Sequence, residues 1–131
     1  EYLECTLETE SNRKIMEIIS KSNNVKQSPK KLRKVANCVR GLNVNKALSS
    51  LKHMDEKGAK IIEKTLSSAI ANAVRNEKFD RDMNSVIIKT ITVDEGPPLK
   101  RFRARAKGRS ARIFRRNSHI TVIVDHQEAV N

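Results

Sequence analysis

Between Lys100 and Arg116 the chain sets nine basic residues in seventeen positions, Lys100, Arg101, Arg103, Arg105, Lys107, Arg109, Arg112, Arg115 and Arg116, with no acidic side chain among them. The run supplies nine of the formal +12 charge, while the rest of the chain holds 18 basic against 15 acidic residues, only +3. Positive charge is therefore one concentrated object and not a general surface bias. Such a segment needs a dense polyanion to neutralise it, and nucleic acid phosphate is the commonest one.

The sequence on either side decides what the segment is attached to. Val86 to Val93 is rich in β-branched residues and ends at Asp94-Glu95-Gly96-Pro97-Pro98, which predicts a strand. Ser118 to Asp125 alternates, with Ile120, Val122 and Val124 sharing one face. Two strands of similar length around a basic stretch make an antiparallel hairpin the economical topology. Leu99 to Arg116 then forms either a disordered loop or an outward extension of that hairpin, with about nine residues per arm at ~3.3 Å each and a tip roughly 30 Å from the sheet. A two-stranded ribbon with few apolar residues and mutually repelling charges is not stable alone in water, so it is expected to order when phosphates surround it.

Gly108 is the predicted turn residue, since it tolerates positive φ where the ribbon reverses. Phe102 and Phe114 lie six positions to either side of it and are expected either to face each other across the strands or to stack on RNA bases. Seven of the nine cations are arginine, whose planar fork pairs with phosphate bidentately and stacks on bases, and this suits RNA. With only three phenylalanines and one tyrosine, the chain lacks an aromatic platform for reading single-stranded bases, so shape and backbone recognition are expected.

The helices are legible upstream. Ser28 can cap a helix with its hydroxyl, and Pro29 fits the first helical position, where its missing N–H is no loss. Leu32, Val35, Ala36 and Val39 recur at i, i+3, i+4 and i+7, and Gly41 follows as the stop. A second short helix is predicted over Val44, Ala47, Leu48 and Leu51, with Asn43 as cap. The longest runs from about Glu56 to Asn76 with Ala59, Ile62, Leu66, Ala69, Ile70 and Ala73 on its core face. Small side chains at Ser67, Ser68, Ala69, Ala71 and Ala73 are expected to let a neighbouring backbone or a flat sheet approach closely. Residues Glu1 to Asn23 carry five acids and three bases, and Ile15, Met16, Ile18 and Ile19 suggest an amphipathic helix in an amino-terminal appendage. Asn24 to Gln27 reads as a brief strand. The expected organisation is an extension over 1–23, one domain over 24–126 with its extended hairpin at about 96–117, and a tail over 127–131.

At 131 residues, with 37% apolar residues clustered in periodic stretches, the chain is expected to fold as a single domain and not to be disordered throughout. No apolar run approaches the ~18 residues of a membrane span and no signal-peptide core stands at the amino end, so a soluble protein with no membrane partner is expected. Cys5 and Cys38 are far apart and have no histidine at finger spacing, so neither a zinc site nor any other metal or cofactor is expected, and two unpaired thiols fit a reducing compartment.

Several ordered blocks resemble the large-subunit ribosomal protein family numbered twenty-two, in its bacterial and organellar form, from about Val25 to Asp125. They are Val93-Asp94-Glu95-Gly96-Pro97, Leu99-Lys100-Arg101-Phe102-Arg103, Arg105-Ala106-Lys107-Gly108-Arg109 and Ser118-His119-Ile120-Thr121-Val122. Earlier in the chain, Ser28-Pro29-Lys30-Lys31 with Arg33, Arg40-Gly41 and Ser68-Ala69-Ile70-Ala71-Asn72-Ala73 agree in order. The resemblance implies an α+β fold, a small three-stranded antiparallel sheet packed with three helices plus a long protruding β-hairpin. It also implies that the hairpin threads between ribosomal RNA domains, lines the nascent-peptide exit tunnel with its tip and helps those domains assemble. Carried onto this chain, Lys100 to Arg116 would be the tunnel hairpin and Lys30, Lys31 and Arg33 the body's contacts to RNA; His119, which has no catalytic or metal partner at recognisable spacing, is expected to orient the hairpin base or touch RNA. Partners would be large-subunit ribosomal RNA, neighbouring ribosomal proteins and the nascent polypeptide, with no homo-oligomer, on ribosomes of a bacterial cytoplasm, a mitochondrial matrix or a plastid stroma. Ala104 stands where the family often has proline.

Two rival classes fit less well. For an enzyme, Asp94 and Glu95 are adjacent and would point to opposite faces of a strand, while His53, His119 and His126 have no partner at triad or metal spacing. A basic β-ribbon DNA-binding regulator would want base-reading amides, and no Asn or Gln lies between Lys100 and Arg116.

Overall fold

The computed structural model of the chain describes residues 17–76 and 85–126. In chain order its elements are β1 (Ile18–Val25), α1 (Pro29–Val39), α2 (Val44–His53), α3 (Lys57–Arg75), β2 (Val86–Glu95), β3 (Leu99–Ala104), a 3₁₀ turn at Ala106–Gly108, β4 (Ser110–Arg115) and β5 (Ser118–His126). This is the α+β arrangement expected, with an antiparallel sheet in the order β1-β5-β2 and a separate two-stranded β3-β4 ribbon.

The three helices form where the apolar period placed them. Leu32, Val35, Ala36 and Val39 of α1 are all buried, as are Val44, Ala47 and Leu51 of α2. Asn43 caps α2 by accepting the Asn45 amide at 2.9 Å, and Gly41 ends α1 with φ +76. Ser28 also sits at the N-cap of α1, but its hydroxyl makes no cap bond; the proline that follows pre-sets the first turn without it. In α3 the expected stripe is buried at Ala59, Ile62, Leu66, Ala69 and Ala73, with Ile70 half-buried at its margin. Of the small residues expected to admit a close neighbour, only Ala69 and Ala73 do so. Ser67, Ser68 and Ala71 face solvent, because a 3.6-residue period cannot turn five positions spread over two turns onto one face. The close approach in the helical layer falls instead at buried Gly58, where an added Cβ would stand 3.4 Å from both Leu32 Cδ2 and Val35 Cγ2.

All three helices cover one face of the sheet, and the core lies between the two layers. Ile120, Val122 and Val124 of the central strand β5 have no exposed surface. Opposite them on β2 lie Val93, Ile91 and Ile88, all buried, although 88 and 91 differ in parity. A bulge makes this pattern possible: the register shifts between Ile88 and Thr90, leaving Lys89 as the extra residue, so both halves of the strand turn their apolar side chains inward. The bulged Lys89 points outward to Glu17 at 2.5 Å and Asp125 at 3.2 Å, and hydrogen bonding to these carboxylates raises its pKa.

The amphipathic helix read into residues 1–23 is not what forms from Ile18 onward. Residues 18–25 make β1, with Ile18 and Ser20 buried on the core side and Ile19 outside. The apolar doublet Ile18-Ile19 fits either period, and the open edge of β5 decides in favour of the strand. The predicted brief strand over Asn24–Gln27 survives only as the end of β1, which carries its own bulge between Ser22 and Val25, with Asn24 at φ 55. Ile15 and Met16, Cys5, the tail over 127–131 and the polar turn over 78–84 lie outside the described residues.

Candidate nucleic-acid interface

The basic run forms a paired ribbon. Leu99 pairs with Arg115, Arg101 with Ile113, Phe102 with Arg112 and Ala104 with Ser110. The register centres on Lys107, one residue before the predicted pivot. Lys107 and Gly108 both take positive φ, 58 and 66, while the Arg105 amide donates to the Arg109 carbonyl at 2.8 Å. An added Cβ on Gly108 would meet nothing, so the glycine is there for its backbone and not for space. The one-residue offset also separates the phenylalanines. Phe102 faces Arg112 and Phe114 faces Lys100, so the two rings sit diagonally on one face and not directly opposite each other.

Directly opposed residues of a strand pair share a face, and neighbours along a strand alternate. One face of the ribbon therefore carries Lys100, Phe102, Arg112 and Phe114, and the other Leu99, Arg101, Arg103, Ile113 and Arg115. Cations occupy both. Every residue from Leu99 to Ser110 is exposed, and so is every one from Arg112 to Arg116. A strip built to lie on a single surface would segregate charge to one side. This one presents charge in both directions.

The ribbon is joined to the sheet through Gly96-Pro97-Pro98 on one strand and Arg116-Asn117 on the other. Gly96 donates its amide to the Asn117 carbonyl at 2.9 Å, and the Asn117 side-chain amide donates to the Pro97 carbonyl at 3.3 Å. A Cβ at Gly96 would lie 3.1 Å from His119 Nε2 and 3.3 Å from the Asn117 carbonyl carbon, so the crossing is this close only because residue 96 has no side chain. His119 Nδ1 accepts the Asn24 amide at 3.3 Å, tying the β1 bulge to the base of the ribbon. Orienting the hairpin base is one of the two roles read for this histidine.

The body residues separate. Lys30 and Lys31 are exposed on the first turn of α1, and Lys31 lines an open groove at the ribbon base together with Arg115 and Arg116. Arg33 has a different engagement: its Nε and Nη2 both donate to the Val93 carbonyl, at 3.1 and 2.9 Å. Arg40, two turns further on at the C-cap, donates to the Ile91 carbonyl at 2.9 Å, and the Gly41 amide donates to the Ile88 carbonyl at 3.1 Å. These bonds cover the outer edge of β2, which would otherwise offer unpaired carbonyls to another chain. The signal for this clamp was in the sequence, since two arginines seven apart flank the buried stripe of α1, but nothing there named their acceptors. Replacing Arg33 by alanine is therefore expected to cost about 1–2 kcal/mol in urea unfolding, while Lys30→Ala should stay within about 0.5 kcal/mol. Equal effects would remove the clamp.

Among the described residues, no group of three His, Cys, Asp or Glu side chains could hold a metal ion, and no helix is long and apolar enough to cross a membrane. Cys38 is free and exposed. Lys34 at the surface is bonded to Glu56 at 2.6 Å, which raises its pKa.

A helix-covered antiparallel sheet whose central strand β5 and edge strand β2 lead into an acid-free, two-faced basic ribbon defines a ribonucleoprotein component of small α+β type. Residues 20–125 match the family described as Ribosomal protein L22p/L17e, and the chain belongs to that family. It is accordingly a structural protein of the large ribosomal subunit, with ribosomal RNA and neighbouring ribosomal proteins as its surroundings.

Proposed function

We propose that the ribbon inserts between elements of large-subunit ribosomal RNA, that its tip at Ala106–Gly108 lines the nascent-peptide exit tunnel, and that the protein thereby helps those RNA elements assemble. The observation that carries this reading is the distribution of cations over both faces of a ribbon that buries none of its charged side chains on the protein's own body. Phosphate on one side only would leave half the charge uncompensated. Phosphate on both sides neutralises it and supplies the ordering free energy that a bare ribbon lacks.

In this reading Lys100, Arg101, Arg103, Arg105, Arg109, Arg112, Arg115 and Arg116 meet phosphate along the ribbon, while Lys107 and Gly108 form the apex toward the tunnel. Lys30 and Lys31 add contacts from the body. Arg33 and His119 act chiefly by holding α1 to β2 and the β1 bulge to the ribbon base, as their hydrogen bonds support. The setting is a ribosome of bacterial or organellar type. A photo-crosslinking residue in place of Arg103 should label ribosomal RNA in assembled large subunits, and one in place of Lys107 should label the nascent chain in translating ribosomes. Labelling of the protein's own helices from position 103, or of DNA alone, would overturn the reading.

A further inference from the structure

An open groove of about 420 Å³ lies where the ribbon leaves the body, within the roughly 300–1,000 Å³ typical of clefts that hold small organic groups. The body side contributes Lys26, Ser28 and Lys31; the ribbon side contributes Leu99, Phe114, Arg115 and Arg116. Among the described residues no acidic side chain lines it, and none of its four cations makes an ion pair. Leu99 and Phe114 remain 45% and 48% exposed, so apolar surface stands uncovered beside concentrated positive charge. The walls are held together from below. The buried Ser118 hydroxyl donates to the Gln27 carbonyl at 2.7 Å, fixing the loop before α1 to the first residue of β5, and Asn117 is tied to Gly96 and Pro97.

The occupant that fits must offer a flat apolar face and an anion a few ångströms apart. A nucleotide inside a duplex offers only its phosphate, because its base is stacked and paired. A nucleotide swung out of the stack offers both. We propose that this groove takes one nucleotide extruded from an RNA helix, its base against Phe114 and its phosphate among Lys31, Arg115 and Arg116. The proposal rests on the reading of the ribbon as an RNA binder and adds to it a preference for irregular helices over regular ones. Base stacking on a single aromatic ring is enough to make that preference measurable.

The test is a titration of the full chain with two RNA duplexes of equal length, one fully paired and one carrying a single unpaired adenosine, followed by fluorescence anisotropy at one salt concentration. The bulged duplex should bind about tenfold more tightly. Phe114→Ala should erase the difference and leave affinity for the paired duplex unchanged within about twofold, whereas Phe114→Trp should retain it. Phe102→Ala should also retain it, because Phe102 is 83% exposed on the same ribbon face and is not among the groove's lining residues. Equal affinity for the two duplexes, or a preference that survives Phe114→Ala, overturns the groove assignment while leaving the ribbon's RNA binding intact. Binding to neither duplex would instead remove the reading on which the proposal rests. Crosslinks from position 114 to a neighbouring protein and none to RNA, in assembled subunits, would assign the groove to a protein partner and overturn the proposal as well.

Discussion

Affinity of the full chain for large-subunit ribosomal RNA should fall steeply with salt, with a slope of roughly −3.5 to −4.5 in log affinity against log salt if about five phosphates are neutralised. Between 50 and 200 mM salt that slope means a loss of about two orders of magnitude. Replacing Arg101, Arg103, Arg109 and Arg112 by alanine, two on either side of the tip, should flatten the slope by ~0.7–0.9 for each that lies on a phosphate, up to about 3.5 in all. The same variant should unfold at nearly the wild-type denaturant midpoint, because all four side chains are exposed and, among the described residues, none is bonded to the body. Two arms therefore separate charge from fold. A flat salt response in the wild type would exclude the electrostatic account, and a large stability loss in the variant would mean that the ribbon packs on its own protein.

The second large effect belongs to the body. Ile120 sits on the central strand between Ser22 of β1 and Val93 of β2 and has no exposed surface. Ile120→Ala removes buried methyl groups from the middle of the core and is expected to cost about 2–5 kcal/mol, a large part of the ~5–15 kcal/mol that stabilises a typical domain. Thermal unfolding followed by circular dichroism should report a midpoint lowered by about 10 °C or more. Phe102→Ala, at 83% exposure, should move the same midpoint by an amount within the scatter of surface substitutions. If the two changes were equally costly, the division into a load-carrying body and a solvent-facing ribbon would be wrong.

Much of this division is legible in the amino-acid sequence. The charge run, its bracketing strands and the helix stripes rest on local periods, and local periods survive into the fold at Leu32-Val35-Ala36-Val39 and at Ile120-Val122-Val124. Ambiguity begins where a segment satisfies two periods. Ile18-Ile19 could belong to a helix or a strand, and only the unsatisfied edge of β5 settles it. Register is likewise invisible locally. The pivot falls at Lys107 and not Gly108, and that single-residue offset decides that Phe102 meets Arg112. The groove at the ribbon base brings together residues from 26 to 31 with residues from 99 to 117, a pairing no spacing rule could suggest.

What the amino-acid order determined by itself is the segregation of the molecule: nine cations that no core can absorb, set between apolar periods strong enough to build one. What only the tertiary structure decided is how those parts are locked together. Lys89 bulges so that two out-of-phase halves of β2 face inward together, Arg33 and Arg40 become clamps on Val93 and Ile91, and His119 binds the Asn24 amide. The physical reason is that hydrophobic periodicity is a property of neighbours in sequence. Hydrogen-bond satisfaction at a sheet edge or a bulge depends on which distant groups arrive beside it once the core has closed.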